Sequence, residues 1–385
     1  MILNYKYEIY PTEEQEIILE RWINICRQQY NSALLDKSVT YKKTKKNYKR
    51  KDMQKQQTAD KKLFAVLKEV PSQPLQEVFF RLEKAFDKFF RKEAKYPKLK
   101  TYKNYRSLTF TQFGIGKQKQ TYKGNVLLRT VRRTASLGKG GKLQISGVGL
   151  IDIVWHRKLD GRVKQVVIKH QGNRWFAIFS VERQADVTAI SSAQKTTGID
   201  VGIKKFAVLS NGQEIQNPTF LRKSERTLAR AQRRLSRMKK HSKNWWKQLS
   251  IVRAIHEKVT NQRKDFLHKA SYRIAKEYSV VCVEGLQIRN MIKNRKLAKS
   301  IQDAGWGMFR SFLQYKCERF GGLMIKVKPH FTSQDCSFCG ERVKKSLSIR
   351  THVCIKCGTV LDRDHNAALN IEKAGLHGIQ YNPAS

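Results

Sequence analysis

Four cysteines and three acidic residues are the side chains in this sequence whose types and spacing could do chemistry. Cys336-x-x-Cys339 is followed, fourteen residues on, by Cys354-x-x-Cys357, and a glycine stands directly after each pair. A CxxC turn aims two thiolates at one ion, and Gly340 and Gly358 permit the backbone such a turn needs. Four thiolates complete a tetrahedral zinc shell with no position left for water, so the expected zinc is structural. His352 is not needed as a ligand.

The acids are scattered. Asp200 interrupts the apolar run of "GIDVG", Glu284 ends "VVCVE", and Asp364 lies in "LDRDHN". Singly, each has an ordinary explanation: Asp200 and Glu284 as strand-end residues facing water, Asp364 as the cap of a helix starting near Asn366. Together they form a different pattern. A strand acid followed by two more strands, a second acid ending a later strand and a third at a helix start follow the ribonuclease-H order. That topology gathers three carboxylates able to hold two Mg²⁺ (or Mn²⁺) ions, which activate a water and stabilise a leaving 3′ oxygen. Hard oxygen ligands suit those ions rather than zinc.

The composition supplies a partner for such chemistry. Lys and Arg total 78 against 31 Asp and Glu, a formal charge of +47 over 385 residues. That surplus needs a polyanion, and nucleic acid, which releases counterions on binding, is the natural one. The basic stretches are interleaved with aromatics along the whole chain, which argues against an anionic membrane. No run of 18 apolar residues could span a bilayer. The start, "MILNYKYEIYPTEEQ", lacks the shape of a signal peptide, so the expected location is cytoplasmic. Cys26, Cys282 and Cys317 sit in apolar or helical surroundings and read as buried small hydrophobes.

The elements that must carry these residues can be read from periodicity. Residues 1–13 read as a strand ending at Pro11, with Thr12 capping a helix from Glu13 to about Leu35. The lysine-rich stretch 41–62 reads as an exposed helix or loop, and 74–92 as an amphipathic helix with Pro74 in its first turn. From Leu108 to Val181 come short β-like runs with glycines, including a hairpin at "QGN" (171–173), which suggests a small barrel-like β domain. The N-terminal strand completes its sheet and the helices are inserted into it. Residues 185–195 read as a linker. Two strands and an Asn211-Gly212 turn into a third follow, then basic helices over 219–278, buried strands at 279–288 and 320–329, and a short helix ending at Gly375. The arginines of 222–240 are dense enough to suggest a phosphate-facing helix rather than a merely solvated one.

In their order, these blocks resemble the TnpB family, the transposon-encoded RNA-guided DNA nucleases related to the ancestors of type V CRISPR effectors. The resemblance rests on "YPTEEQ…YNSAL", "KAFDKFFRK…YPKLK", "TTGIDVGIKKFAV", "NQRKDFLHKAS", "NRKLAKSIQDAGWG", "TSQDCSFCG" and "CIKCGTVLDRDHNAALNI", nearly end to end. It implies an α+β multidomain chain. A β-barrel wedge domain (1–13 and 106–185) would carry an inserted helical recognition lobe (14–105). An RNase H-like (RuvC) α/β domain (186–331 and 362–385) would be interrupted by a four-Cys zinc ribbon (332–361) that binds target nucleic acid. A lid at about 286–305 would guard the RuvC site.

The resemblance also implies a function: binding a transposon-end-derived guide RNA, recognising a short motif beside the target, and cutting both strands of double-stranded DNA at one Mg²⁺-dependent site. The catalytic acids would be Asp200, Glu284 and Asp364, with Asp362 a local hydrogen-bonding residue. Gln76 matches a base-reading position, while Ser72 stands where relatives can have lysine. Arg222, Arg226, Arg230, Arg233, Arg234 and Arg237 would contact nucleic acid. The protein would act as a monomer per RNA in the prokaryotic cell interior, at the nucleoid when on DNA. Base pairing to the guide would supply specificity, so the protein need only grip a duplex by its backbone. Three alternatives stay open: an RNA-guided DNA-binding repressor without cleavage, a transposase of RNase H-like fold, and a stand-alone RNA-binding protein with structural acids.

Overall fold

A computed structural model describes residues 2–114, 116–123, 126–133, 135–137, 139–183, 195–346 and 349–380, the side chains of 116–133, 139 and 378–380 excepted. The chain divides into two compact units, 1–184 and 185–385. The expected linker at 185–195 lies outside the described residues, except for Lys195.

The first unit opens with strand β1 (Ile2–Tyr10) and helix α1 (Glu13–Thr44). Thr12 and Gln15 form a capping box at the helix start, where Glu13, Glu14 and Glu16 face the positive end of the dipole. The helix runs nine residues past the expected Leu35. Extending a formed helix is cheap, and Lys37 fastens the extension by donating to Asn47 Oδ1 and the Tyr48 carbonyl, both at 2.6 Å. The lysine-rich stretch contains α2 (Arg50–Leu63), which buries Met53 and Gln57. It packs on α4 (Ser72–Phe90) through Arg50, 2.7 Å from Glu83, with the short α3 (Val66–Glu69) between them.

The remaining strands of this unit are β2 (Ser107–Phe110), β3 (Gly116–Lys123), β4 (Val126–Arg133), β5 (Ala135–Leu137), β6 (Leu143–Ile145), β7 (Gly149–Ile153), β8 (Arg162–Gln171) and β9 (Arg174–Glu182). β3 and β4 form a separate hairpin. The others join β1 in a seven-stranded sheet of order β2-β8-β9-β1-β7-β6-β5. Thus β1 lies in the middle of the sheet rather than merely completing it. The β8–β9 turn at Gly172, with φ of 66°, falls where expected. Phe113, just past β2, bridges Ala135 of β5, so the two outer strands of the sheet approach each other. Tyr7, Ile9, Trp22, Phe79, Phe110 and Phe179 belong to its single large core.

The second unit is built on a five-stranded sheet of order β12-β11-β10-β13-β14. Its strands are β10 (Thr196–Val201), β11 (Lys205–Leu209), β12 (Glu214–Gln216), β13 (Val280–Glu284) and β14 (Leu323–Val327). The first three are antiparallel, turning at Gly212, and β10, β13 and β14 run parallel. Between β12 and β13 come α5 (Phe220–Ser236) and the 35-residue α6 (Lys243–Glu277). Between β13 and β14 come α7 (Ile288–Met291), α8 (Arg295–Ala304) and α9 (Trp306–Arg319). A small β15 (Thr351–Val353) and β16 (Val360–Asp362) pair follows, then α10 (Arg363–Gln380).

The two faces of the sheet are covered differently. Ile199, Val281 and Val283 point into a core with Leu267 and Ile274 of α6 and Phe309 and Leu313 of α9. Alternation puts Gly198, Asp200, Cys282 and Glu284 on the opposite face, and α10 lies there. A Cβ at Gly198 would stand 2.0 Å from the Ala368 carbonyl oxygen and one at Gly375 2.2 Å from Cys282 Sγ. Gly375 therefore does not end the helix, as the sequence suggested. It is a helix-interior glycine that lets α10 lie flat against β13.

Candidate active site and metal centre

Register decides which acids can meet. β10 and β13 are parallel, with Gly198 opposite Cys282 and Ile199 opposite Val283. One step on, Asp200 and Glu284 occupy equivalent ends of neighbouring strands, on the face that α10 crosses. Since α10 passes over Gly198 at Ala368, its beginning at Arg363 and Asp364 falls toward Asp200. Burial, then the charges of Glu284 and Asp364, push the Asp200 carboxyl well above the usual carboxylate range, and nearby Arg363 offsets only part of this. Burial also raises Glu284, although the Thr332 hydroxyl donates to its Oε1 at 2.5 Å. Asp364 accepts from Arg350 at 3.4 Å.

The start of α10 also separates the two aspartates of "DRD". The Asp362 carboxylate accepts from the backbone N–H groups of Asp364 at 2.9 Å and His365 at 3.2 Å, and from Lys205 Nζ at 3.1 Å. Asp362 therefore caps the helix, and Asp364 is not its cap. Burial would raise Asp362, but Lys205 and the two amides outweigh it and hold the carboxyl below its ordinary value.

The four cysteines are gathered more tightly. Their sulfurs lie within 4.8 Å of one another, and among the described residues this is the one such group of three or more potential ligands. Cys336 Sγ is 3.6 Å from Cys357 Sγ, and Cys339 Sγ 3.6 Å from Cys354 Sγ. Zn–S bonds of about 2.3 Å imply tetrahedral edges of about 3.8 Å, so the thiols fit the ion. Gly340 and Gly358 have φ of 77° and 70°, as the two knuckles require. The Thr359 hydroxyl and amide hold the Cys357 thiol down at about 6. The Cys339 thiol accepts from the Glu341 amide, yet burial and the three neighbouring sulfurs push it up to about 12. Thiols packed this closely cannot all ionise without a cation.

The three carboxylates do not form so tight a group. Asp200 and Glu284 share one end of the sheet, Asp200 feels the charges of Glu284 and Asp364, and the donor set is all oxygen. Two buried carboxyls, both raised by burial and one of them further by the charges of its neighbours, are the surroundings a hard divalent ion would relieve.

The remaining candidates lie on surfaces. Arg222, Arg226, Arg230, Arg233, Arg234 and Arg237 are all exposed. At steps of three and four residues, five of them make one stripe, opposite the buried Leu228 and Ala231 that pack on α6 beside Val252. Residues 226–256 contain ten Lys and Arg and no acid. Gln76 is exposed near the start of α4, and Lys61 of α2 donates to Ser72 nearby at 3.2 Å. The expected lid segment is α7 and α8. Its far end is anchored by Asp303, which accepts from the Leu221 amide and lies 2.7 Å from Arg263 Nη2. Cys26, Cys282 and Cys317 are fully buried, as expected.

Sequence reasoning missed Thr332 beside Glu284 and the His241–Trp245–Trp246 ring cluster at the α5–α6 turn, with Trp246 exposed; it gave Asp362 as a local hydrogen-bonding residue without naming it as the cap. Only the capping spacing of Asp362, two and three residues before the amides it binds, was visible as a pattern.

Comparison with known proteins gives concordant results. Family models match residues 178–295 (OrfB_IS605, "Probable transposase"), 306–371 ("Cas12f1-like, TNB domain") and 1–46 ("Helix-turn-helix domain"). Residues 2–44 nonetheless form one strand and one long helix, not two helices about a turn. A Streptomyces pristinaespiralis protein named "Putative RNA-guided DNA endonuclease" is 34% identical over 381 residues, 97% of this chain and 89% of the relative. Another from Escherichia coli (strain K12), "Putative RNA-guided DNA endonuclease InsQ", is 29% identical over 390 residues, 96% and 92% of the two chains. "TnpB-like protein L79" of Acanthamoeba polyphaga mimivirus is 23% identical over 227 residues, 55% of this chain and 44% of that one. Among solved structures, the protein in "Cryo-EM structure of the Cas12f1-sgRNA-target DNA complex" superposes with a TM-score of 0.60 at 14% identity, over 97% of this chain and 98% of that one. The likeness is one of fold. No helix among the described residues is long and apolar enough to cross a membrane.

Proposed function

We propose that this chain, which belongs to the TnpB family, is an RNA-guided DNA endonuclease that cuts its target at a single site of RuvC type, built on Asp200, Glu284 and Asp364. One observation carries the nuclease reading. Asp200 and Glu284 end neighbouring parallel strands on the face that α10 crosses, and Asp200 is raised by burial and then by the charges of Glu284 and Asp364. Two Mg²⁺ or Mn²⁺ ions held there would activate a water and stabilise the leaving 3′ oxygen.

The chain's own residues do the rest. Asp362 and Lys205 fix the beginning of α10, and so the position of Asp364. A groove beside Glu284, lined by Arg289, Arg310 and Lys326 among others, offers cations to the phosphates flanking the scissile bond. The arginine stripe of α5 grips a phosphate backbone, and base pairing to the guide leaves little base reading to the protein. The seven-stranded sheet whose outer strands meet at Phe113 and Ala135 is read as the wedge barrel, and α1–α4 as the recognition lobe. Gln76 on α4 reads the motif adjacent to the target, with Lys61 beside Ser72 as a neighbouring cation. The zinc is structural, since four thiolates leave it no open position.

The chain purified from its host should carry a discrete RNA. With Mg²⁺ the complex should cut a plasmid bearing the matching target and, from a randomised library, select one adjacent motif. Asp200→Ala should lower cutting at least about a thousandfold, roughly 4 kcal/mol of transition-state stabilisation, and leave guided binding intact. Cutting that persists in that variant refutes the site. Strand-transfer products instead of simple breaks would favour a transposase, and guided binding without cutting in the unaltered protein a repressor.

A further inference from the structure

The zinc ribbon is fastened to the carboxylate site by a closed circuit of hydrogen bonds. Three residues on one face of α10, at helical spacing, grip the chain on both sides of Cys336. Asn366 Nδ2 donates to the Asp335 carbonyl at 2.8 Å, and its Oδ1 accepts from the Ser337 amide at 2.9 Å. Asn370 Nδ2 donates to the carbonyls of Thr332 at 2.8 Å and Asp335 at 2.7 Å, and Lys373 Nζ donates to the Ser337 carbonyl. Asn366 is fully buried. A buried amide with both ends satisfied fixes geometry, because each lost bond leaves a desolvated polar group.

The circuit closes on the acid. Thr332, whose carbonyl Asn370 holds, donates its hydroxyl to Glu284 Oε1. Among the described residues Glu284 Oε2 has no protein donor, so it stays available to a cation. Asp364 stands two residues before Asn366 on the same helix. One side of the first zinc knuckle thus determines where Glu284 is held relative to the helix that carries the third acid.

We propose that Thr332 is a positioning residue for Glu284, and that zinc in the four-cysteine ribbon, acting through this threonine, sets the affinity of the carboxylate site for its divalent ions. The inference rests on the triad reading above. A closed zinc site then does more than hold its own loop together: it stiffens the segment 332–337, whose Thr332 orients the Glu284 carboxylate at the end of β13. Outer partners of metal ligands commonly matter at this level, with losses of roughly 10- to 100-fold in affinity when removed.

The test is a Mn²⁺ titration followed by electron paramagnetic resonance on the RNA-loaded full chain, with Asp200→Ala as the background that defines carboxylate-bound ions. Thr332→Val should weaken that Mn²⁺ binding roughly tenfold or more and leave zinc content and guided DNA binding unchanged. Thr332→Ser, which keeps the hydroxyl, should restore it. Asn370→Ala, which cuts the tether without touching Glu284, should weaken it in the same direction. Removing zinc should reproduce the loss, and Thr332→Val should add nothing in the zinc-free chain, since both act through one path. Unchanged Mn²⁺ affinity in Thr332→Val, or fully additive losses, overturns the proposal while leaving the triad standing. Absence of any difference between the unaltered chain and Asp200→Ala overturns the triad, and this inference with it.

Discussion

The two candidate metal centres of this molecule are opposites in construction. The four cysteines come from 22 consecutive positions, 336–357, and lie within 4.8 Å of one another. The three acids come from positions 200, 284 and 364, meet only through the strand order of a five-stranded sheet and the seating of one helix, and remain looser. Local spacing builds the cysteine group, whereas the acids are borne on separate rigid elements.

The largest effect should come from breaking the local centre. Cys336→Ser should lose the zinc, and with it an apparent binding free energy on the order of 10 kcal/mol that holds the ribbon folded. Metal analysis should find no stoichiometric zinc, and hydrogen exchange should show residues 332–362 unprotected while β10, β13 and β14 stay protected. If the whole second unit unfolds, the two centres are less separable than their construction suggests.

The dispersed centre should instead break from a residue that bears no ligand. Gly198→Ala drives a Cβ into the α10 backbone at Ala368 and Glu372. It should cost about 2–3 kcal/mol and lower cutting by displacing Asp364, with zinc content unchanged. Urea unfolding together with a cleavage assay would measure both. Gly375→Ala meets a side chain instead, so adding Cys282→Ala should recover much of its loss.

The electrostatic contrast predicts a smaller change with a definite sign. The Asp200 carboxyl is raised in the folded chain, which therefore keeps a proton that the unfolded chain has lost. Its favourable contribution is fully present below the ordinary Asp value near 3.9, and is lost as pH rises through the raised folded value. Without divalent ions, Asp200→Asn should raise the Tm at about pH 8, at roughly 2–4 °C per kcal/mol for a unit of this size. The gain should vanish near pH 3 and shrink at pH 8 when Mg²⁺ is added. Scanning calorimetry at both pH values would check it.

The same contrast explains what was legible in the sequence. The cysteine cluster was fully readable, because glycine-punctuated CxxC pairs carry their geometry within a few residues. The strands that bear Asp200 and Glu284 were readable because each acid interrupts or ends an otherwise apolar run. The length of α10 was not, since Gly375 looks like a stop until Cys282 is seen beneath it. Nor was the role of Asp362 distinguishable from that of Asp364 on residue type alone. Thr332 was invisible because its partner lies 48 positions away and no local pattern marks such a bond. The extra turns of α1 were missed because periodic apolar residues end where burial ends, not where the helix does.

The smallest effect belongs to the surface. Changing Arg226, Arg230 and Arg233 to Gln should leave both centres intact. It should reduce the slope of log binding constant against log salt by roughly two to three units, at about 0.7–0.9 per phosphate contact. An unchanged slope would make the stripe a solvated face.

The central claim is that Asp200, Glu284 and Asp364 together hold divalent ions. A crystal of the RNA-loaded chain soaked in Mn²⁺ and measured for anomalous scattering addresses it directly. The account predicts Mn²⁺ peaks within coordination distance of all three carboxylates, separate from the zinc peak among the cysteines. Zinc density alone, with the three side chains directed apart, would contradict it.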